Sequence, residues 1–246
     1  MNTRLKTQDI AVIAICAALY AVFGILTRGL SFFGIGFLPA VVIPAVFAAL
    51  FGPWVGGISG AIGIFIRDMF VHGNAALSLV AGVPPNFILF FLIGYLAARN
   101  ISLKQAFVGI TIAAVGLLVP SIVFLSDFAA YTGLSTEAFL LSFVLTILLS
   151  LAVIGIVSVR WKEWRSYAIG SVVGQVAGGI LLSVTIWLVS PWFLTTLGLE
   201  QPLGASTILP IFVWTLATEI PFILLLGPPI VKAVQRAYPS SQFRKK

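Results

Sequence analysis

Long apolar stretches, broken by charges and by glycine and proline clusters, follow one another along the whole chain. A helix needs about 20 apolar residues to cross the hydrocarbon core of a bilayer, within a range of roughly 17 to 25. The pattern predicts about eight transmembrane helices, over residues 9–27, 37–52, 54–71, 84–98, 105–125, 136–159, 167–189 and 207–234. The second and fourth are short, so a six-helix alternative, with 37–71 as a re-entrant pair, stays open.

Basic residues lie mostly on one side of this predicted bundle. With a cytoplasmic N-terminus, only Arg28 and Arg67 of the 14 basic residues fall on the outer side. The cytoplasmic segments carry the rest: Arg4, Lys6, Arg99, Lys104, Arg160, Lys162, Arg165, Lys232, Arg236, Arg244, Lys245 and Lys246. Because lysine and arginine are enriched in cytoplasmic loops, both termini are expected in the cytoplasm.

Composition agrees with an integral membrane protein. The 246 residues are 60% hydrophobic and 9% charged, whereas a soluble domain carries roughly a quarter charged residues. We therefore expect one all-α membrane domain over 1–246, with its first helix retained, in the cell membrane. The net charge of +7 is then a sign of orientation and of contact with lipid headgroups, and no nucleic-acid partner is expected.

Cofactor and metal chemistry have little support. One cysteine and one histidine exclude a disulfide framework and a multi-histidine metal centre. The chain has no P-loop and no dinucleotide fingerprint, so ATP would have to be used by other chains. We expect no cofactor and no bound metal.

The enzyme interpretation is also weak. Residues 57–60 read G-I-S-G, as in rhomboid-type intramembrane proteases, but a serine nucleophile needs a base within hydrogen-bond reach. His72 follows Ser59 by thirteen residues, about 20 Å along a helix. The chain is therefore not expected to be an enzyme, and a lipid-modifying enzyme is the least favoured alternative because polar residues are scarce.

Small residues recur on three predicted helices. On the first, Ala14 and Ala18 are four apart, as are Ala17 and Ala21; such a face favours close approach of another helix, either within the bundle or on a separate protein. Glycines are close together over 56–63 and again over 170–179. They indicate helix contacts or an internal duplication, and the sequence leaves both open.

A polar set lies at the outer helix ends: Arg28, Arg67, Asp68, His72 and Asn74. An arginine there can clamp a carboxylate or phosphate through its planar fork. It can equally pair with Asp68 or Asp127, and charges at helix ends often only reach into water.

Glu219 is the sharpest single signal. It lies near the middle of the last predicted helix, where a carboxylate costs about 2.5–3.5 kcal/mol on insertion scales. It is a candidate ligand contact or proton site, unless it only bonds a neighbouring helix at Gln175 or Thr185. Trp214, five residues earlier, can stack on a flat heterocycle. A stand-alone secondary transporter or channel with Glu219 as its proton-coupling site is therefore the main alternative function.

Several segments together resemble a known family. They are A-I-C-A-A-L-Y-A at 14–21, F-L-P-A at 37–40 and L-F-G-P-W-V-G-G at 50–57, followed by Gly60, Gly63 and Asp68. This order resembles the substrate-binding S component of energy-coupling factor (ECF) vitamin transporters, over roughly the first hundred residues. The family usually has six helices, so the resemblance implies a six-helix core with an extra pair here.

The resemblance also implies a function. An S component captures a vitamin or related micronutrient from outside, docks a membrane T subunit through its alanine motif, and is driven by two cytoplasmic ATPase subunits. Here Ala14, Ala17, Ala18 and Ala21 would dock the T subunit. The substrate would lie beneath the 31–39 loop, with contacts from Arg67, Asp68, Glu219, Trp214, Arg28, His72 and Asn74.

Overall fold

The computed structural model describes residues 6–27, 31–32, 35–111, 115 and 135–237. Apart from a short antiparallel hairpin, Ser31–Phe32 with Ile35–Gly36, the regular structure of this part is helical. The helices are α1 (Thr7–Leu26), α2 (Val42–Phe51), α3 (Pro53–Val71), α4 (Ala75–Ala97), α5 (103–111), α6 (Thr136–Arg160), α7 (Arg165–Val189), α8 (Leu194–Leu197) and α9 (Ile208–Ala237). Short 3₁₀ turns at Pro39–Val41, Lys162–Trp164, Ser190–Trp192 and Ala205–Thr207 join some of them.

Five helices of the described part are long and apolar enough to cross a membrane. They are Thr7–Leu26, Pro53–Val71, Ala75–Ala97, Arg165–Trp192 and Ala205–Ala237. Four of them coincide closely with predicted spans, and Ala75–Ala97 overlaps the fourth span only in part. The second predicted span is a shorter apolar helix, Pro39–Phe51, and the sixth corresponds to α6. Most of the fifth lies outside the described residues, so the total of eight and the orientation of the termini stay predictions.

The prediction of a short fourth span was wrong. The helix begins at Ala75 rather than at Pro84, with Asn74 as its N-cap, whose side-chain oxygen accepts the backbone N–H of Leu77 at 3.0 Å. A π-helical turn, Ser78–Gly82, precedes the two prolines. Prolines donate no backbone hydrogen bond, and the wider turn lets the helix continue through them. The sequence pattern had treated the two prolines as a break between helices.

Helix α4 is held in backbone contact with α7 by glycines. Gly170, Gly174 and Gly178 face α4: a Cβ added to Gly174 would lie 2.5 Å from the Leu89 carbonyl oxygen, and one on Gly178 2.9 Å from that of Pro85. Close approach of this kind is the usual role of small residues at membrane helix contacts.

The glycines of α3 serve the same purpose on its two sides. Gly60 lies against the ring of Phe90 on α4, and a Cβ on Gly63 would lie 2.9 Å from the Ala17 carbonyl oxygen on α1. Gly52, with φ of 99°, turns the chain sharply from α2 into α3, a backbone conformation that suits glycine. Both glycine series therefore lie at helix contacts, and no duplication is needed to explain them.

Helix α9 closes the bundle against α7. The Tyr167 hydroxyl on α7 donates to the Ile223 carbonyl of α9 at 3.0 Å, next to Gly227, where a Cβ would collide with the same hydroxyl. This contact lies between the helix prolines Pro221 and Pro228. It joins α7 to α9 about one helical turn after Glu219.

Replacing Gly174 by alanine should destabilise the fold, because the new Cβ would overlap the α4 backbone. We expect a loss of about 1–3 kcal/mol, as for other overpacked contacts, seen as a lower thermal unfolding midpoint in detergent. Gly155→Ala is the matched control, since a Cβ there meets nothing within 4 Å in the described part and alanine favours helix. Equal effects of the two substitutions would contradict the proposed contact.

Candidate functional site

Arg67 and Asp68 form a buried ion pair near the end of α3. The two residues are 8% and 5% exposed, and Arg67 Nη1 lies 3.1 Å from Asp68 Oδ1. The other carboxylate oxygen of Asp68 accepts a hydrogen bond from Ser78 Oγ at 2.8 Å. Both oxygens of Asp68 are therefore engaged within the protein, and Asp68 holds Arg67 in place.

The π-helical turn of α4 supports this pair. Ser78 is its first residue, and Gly82 is its last; a Cβ on Gly82 would lie 2.7 Å from Asp68 Oδ2. Only a residue without a side chain lets the turn come this close to the carboxylate. Turns of this type are frequent at functional sites.

Glu219 is paired with Gln175 in the interior. The two residues are 6% and 1% exposed, and Gln175 Nε2 donates to Glu219 Oε2 at 2.6 Å. Of the two neighbours suggested by the sequence, Gln175 is thus the partner. Glu219 also interacts electrostatically with Arg67, so the fold brings together a carboxylate and an arginine that are far apart in the chain.

Tyr20 belongs to the same cluster and escaped the sequence analysis. Its hydroxyl donates to Asn86 Oδ1 at 2.8 Å, and Asn86 Nδ2 donates to the Gly82 carbonyl at 2.9 Å. Tyr20 is 1% exposed and interacts electrostatically with Glu219, Arg67 and Asp68. A tyrosine hydroxyl in the apolar part of α1 was the available signal, but it lies within the alanine-rich motif and was interpreted with it.

Two buried polar atoms of the cluster have no hydrogen-bond partner among the described residues. They are Arg67 Nε, a donor, and Gln175 Oε1, an acceptor. Leaving a buried polar group unpaired costs about 1–3 kcal/mol, and such groups in a native fold need an explanation. We call Tyr20, Arg67, Asp68, Gln175 and Glu219 the interior polar cluster.

The 31–39 loop packs against the same end of the bundle. Trp214 Nε1 on α9 donates to the Ile35 carbonyl at 3.2 Å, and the rings of Phe37 and Phe222 meet edge to face at 5.4 Å. Leu38 and Arg67 both border Gly24 on α1. Trp214, expected as an apolar wall, thus uses its indole N–H to hold the hairpin.

Two further predicted contacts, His72 and Asn74, lie where α3 ends and α4 begins. Asn74 caps α4 and donates through Nδ2 to Thr196 Oγ1 at 3.1 Å, while His72 Nδ1 accepts the Asn74 backbone N–H at 3.1 Å. His72 Nε2 is 3.8 Å from Asp68 Oδ2. These two residues shape the end of α3, and Arg28 lies outside the described residues. The described residues contain no group of three or more His, Cys, Asp and Glu side chains that could hold a metal.

The predicted docking set divides into two faces of α1. Ala17 and Ala21 are each 2% exposed and packed into the bundle, with the Ala17 carbonyl beside Gly63. The chain itself covers these two residues, and their part in docking stays a prediction. Ala14 and Ala18 are exposed, so the docking prediction rests on them.

Replacing Asp68 by asparagine should destabilise the protein by about 3–5 kcal/mol, because Arg67 would keep a buried charge without its partner. Thermal or denaturant unfolding in detergent measures the loss. Adding Arg67→Gln to this variant should restore part of the lost stability, because the buried charge without a partner is then removed. A double variant no more stable than Asp68→Asn alone would contradict the pairing.

Comparison with known proteins finds a family match in the first half of the chain. Residues 8–123 match the family described as ECF transporter, substrate-specific component. This range contains Tyr20, Arg67 and Asp68 and stops before Gln175 and Glu219. The family is one of transporter subunits, which disfavours the enzyme interpretation.

Curated relatives point the same way. A UPF0397 protein of Aliivibrio salmonicida is 34% identical over 122 residues, 47% of this chain and 66% of the relative. UPF0397 proteins of Vibrio atlanticus and Aliivibrio fischeri are 41% and 40% identical over 83 residues, 33% of this chain and 44% of each relative. The alignments thus span between 44% and 66% of the relatives, and no solved structure matches the chain. Over residues 8–123, this chain is therefore similar to the ECF transporter substrate-specific component family.

Proposed function

We propose that the chain is the substrate-binding membrane subunit of an ECF-type transporter. It captures a vitamin or related small micronutrient from outside the cell, and ATPases on other chains drive uptake. In this proposal the protein lies in the cell membrane with both termini in the cytoplasm. The end of the bundle that carries the hairpin then faces outward.

The observation that carries the proposal is the interior polar cluster beneath the hairpin. Burying ionisable side chains such as Arg67 and Glu219 inside a membrane bundle costs free energy. Residues of this kind are usually functional. Arg67 Nε and Gln175 Oε1 remain free of protein partners among the described residues. A bound molecule would accept a hydrogen bond from Arg67 Nε and donate one to Gln175 Oε1.

The two halves of the site have different sources. Arg67 and Tyr20 come from the part that matches the family, whereas Gln175 and Glu219 come from the second half. We expect the first half to supply features common to the family and the second half to select the substrate.

The exposed face of α1 supports docking of a membrane T subunit. Ala14 and Ala18 are exposed at a spacing of four, so another helix can approach them closely. Tyr20, on the buried face of the same helix, reaches the interior polar cluster. Helix α1 would therefore contact both the proposed T subunit and the proposed ligand site. In this proposal two ATPase subunits bind on the cytoplasmic side.

Replacing Ala14 and Ala18 by tryptophan should lower uptake at least tenfold while ligand binding by the isolated chain is kept, because the added bulk blocks only the docking face. Uptake is measured in vesicles that contain the chain with its T and ATPase subunits. Leu188→Trp is the control, since Leu188 on α7 is 53% exposed and away from α1. Normal uptake by the double variant would remove the docking assignment.

Reconstitution tests the function itself. The molecule that co-purifies with the protein, identified by native mass spectrometry, is offered to vesicles with and without the ATPase subunits. Uptake that requires ATP hydrolysis supports the proposal. Uptake by the chain alone, dependent on Glu219, would replace it with a proton-coupled secondary transporter.

A further inference from the structure

We infer that the ligand of this site presents an N–H donor, as a cationic amine or amidine-type nitrogen does, to Gln175 and Glu219, and a hydrogen-bond acceptor to Arg67. The inference rests on the proposed function and names the class of molecule that the site takes. It is argued from the hydrogen-bond accounting and the charge of the interior polar cluster.

The unpartnered atom of the Gln175–Glu219 pair is an acceptor. Gln175 gives its amide N–H to Glu219 at 2.6 Å, and its Oε1 atom has no partner in the described part. With an ionised Glu219, turning the amide round would point oxygen at oxygen, so the observed orientation is the favourable one. A group that satisfies Gln175 Oε1 beside a carboxylate must donate a hydrogen bond.

Arg67 offers the opposite chemistry. Its Nη1 is engaged by Asp68 at 3.1 Å, and Asp68 in turn accepts from Ser78. Its Nε–H is a buried donor without a partner among the described residues. A group that satisfies it must accept, as a carbonyl, a ring nitrogen or a carboxylate does.

Charge separates a cationic donor from a neutral one. The cluster contains one cation, Arg67, and two carboxylates, Asp68 and Glu219, and Arg67 forms its ion pair with Asp68. Buried charges in proteins are normally paired. A positively charged nitrogen beside Glu219 would complete the pairing, whereas an anionic group there would face a carboxylate.

Three probes that share one ring test the inference: benzylamine, benzyl alcohol and benzoate. Each is added at the same millimolar concentration to the full chain in detergent, and the thermal unfolding midpoint is recorded. A molecule that binds the folded state raises that midpoint. We expect benzylamine to raise it by about 2 °C or more above the other two, and we expect Glu219→Gln to abolish the difference.

Two further variants make the result specific. Gln175→Leu removes the free acceptor and should also abolish the preference for the amine. Thr185→Val removes a polar group from the same helix, away from the pair, and should keep that preference. Equal effects of the three probes on the unaltered protein would overturn the inference, as would an amine preference that survives both Glu219→Gln and Gln175→Leu.

Failure of this inference is distinct from failure of the proposed function. ATP-dependent uptake of a molecule without an N–H donor would overturn the ligand class and leave the transporter intact. An amine preference together with uptake that needs no ATPase would overturn the ECF-type transporter and leave the ligand class intact. The probe series needs neither partner subunits nor the natural substrate, so it can be read on its own.

Discussion

Backbone contact between α4 and its glycine-bearing neighbours is the constraint on which the rest of the structure depends. Gly174 of α7 lies against the Leu89 carbonyl, and Gly60 of α3 against the Phe90 ring. Because lipid tails are as apolar as the helices, the hydrophobic effect does not drive helices together in a membrane. Van der Waals contact at small residues stabilises their association instead. With α4 held from both sides, Ser78 and Asn86 reach Asp68 and Tyr20.

The polar interior follows from this tight packing. Five residues of α1, α3, α7 and α9 come together where the apolar surroundings make each unpaired group expensive. Most of their polar atoms are satisfied inside the protein, as Asp68 shows with its bonds to Arg67 and Ser78. The exceptions, Arg67 Nε and Gln175 Oε1, lie on helices contributed by the two halves of the chain.

Sequence reasoning succeeded where one helix suffices for the argument. Hydropathy located the five membrane-length helices, and the isolated carboxylate of Glu219 was recognised because its cost does not depend on its neighbours. It failed at the start of α4, where a π-helical turn carries the helix through Pro84 and Pro85. It also grouped Ala17 with Ala14, although these residues face the bundle interior and its surface respectively.

The sequence by itself determined the all-α membrane class, most helix positions and the family resemblance, because apolar length and local motifs are properties of contiguous residues. Only the tertiary structure decided that Gln175 pairs with Glu219, that Tyr20 bonds Asn86, and that Trp214 holds the hairpin. These contacts join residues between 44 and 179 positions apart. They depend on how the helices are rotated and packed against one another. Small residues permit close packing, but the sequence of one helix does not determine which residues it meets.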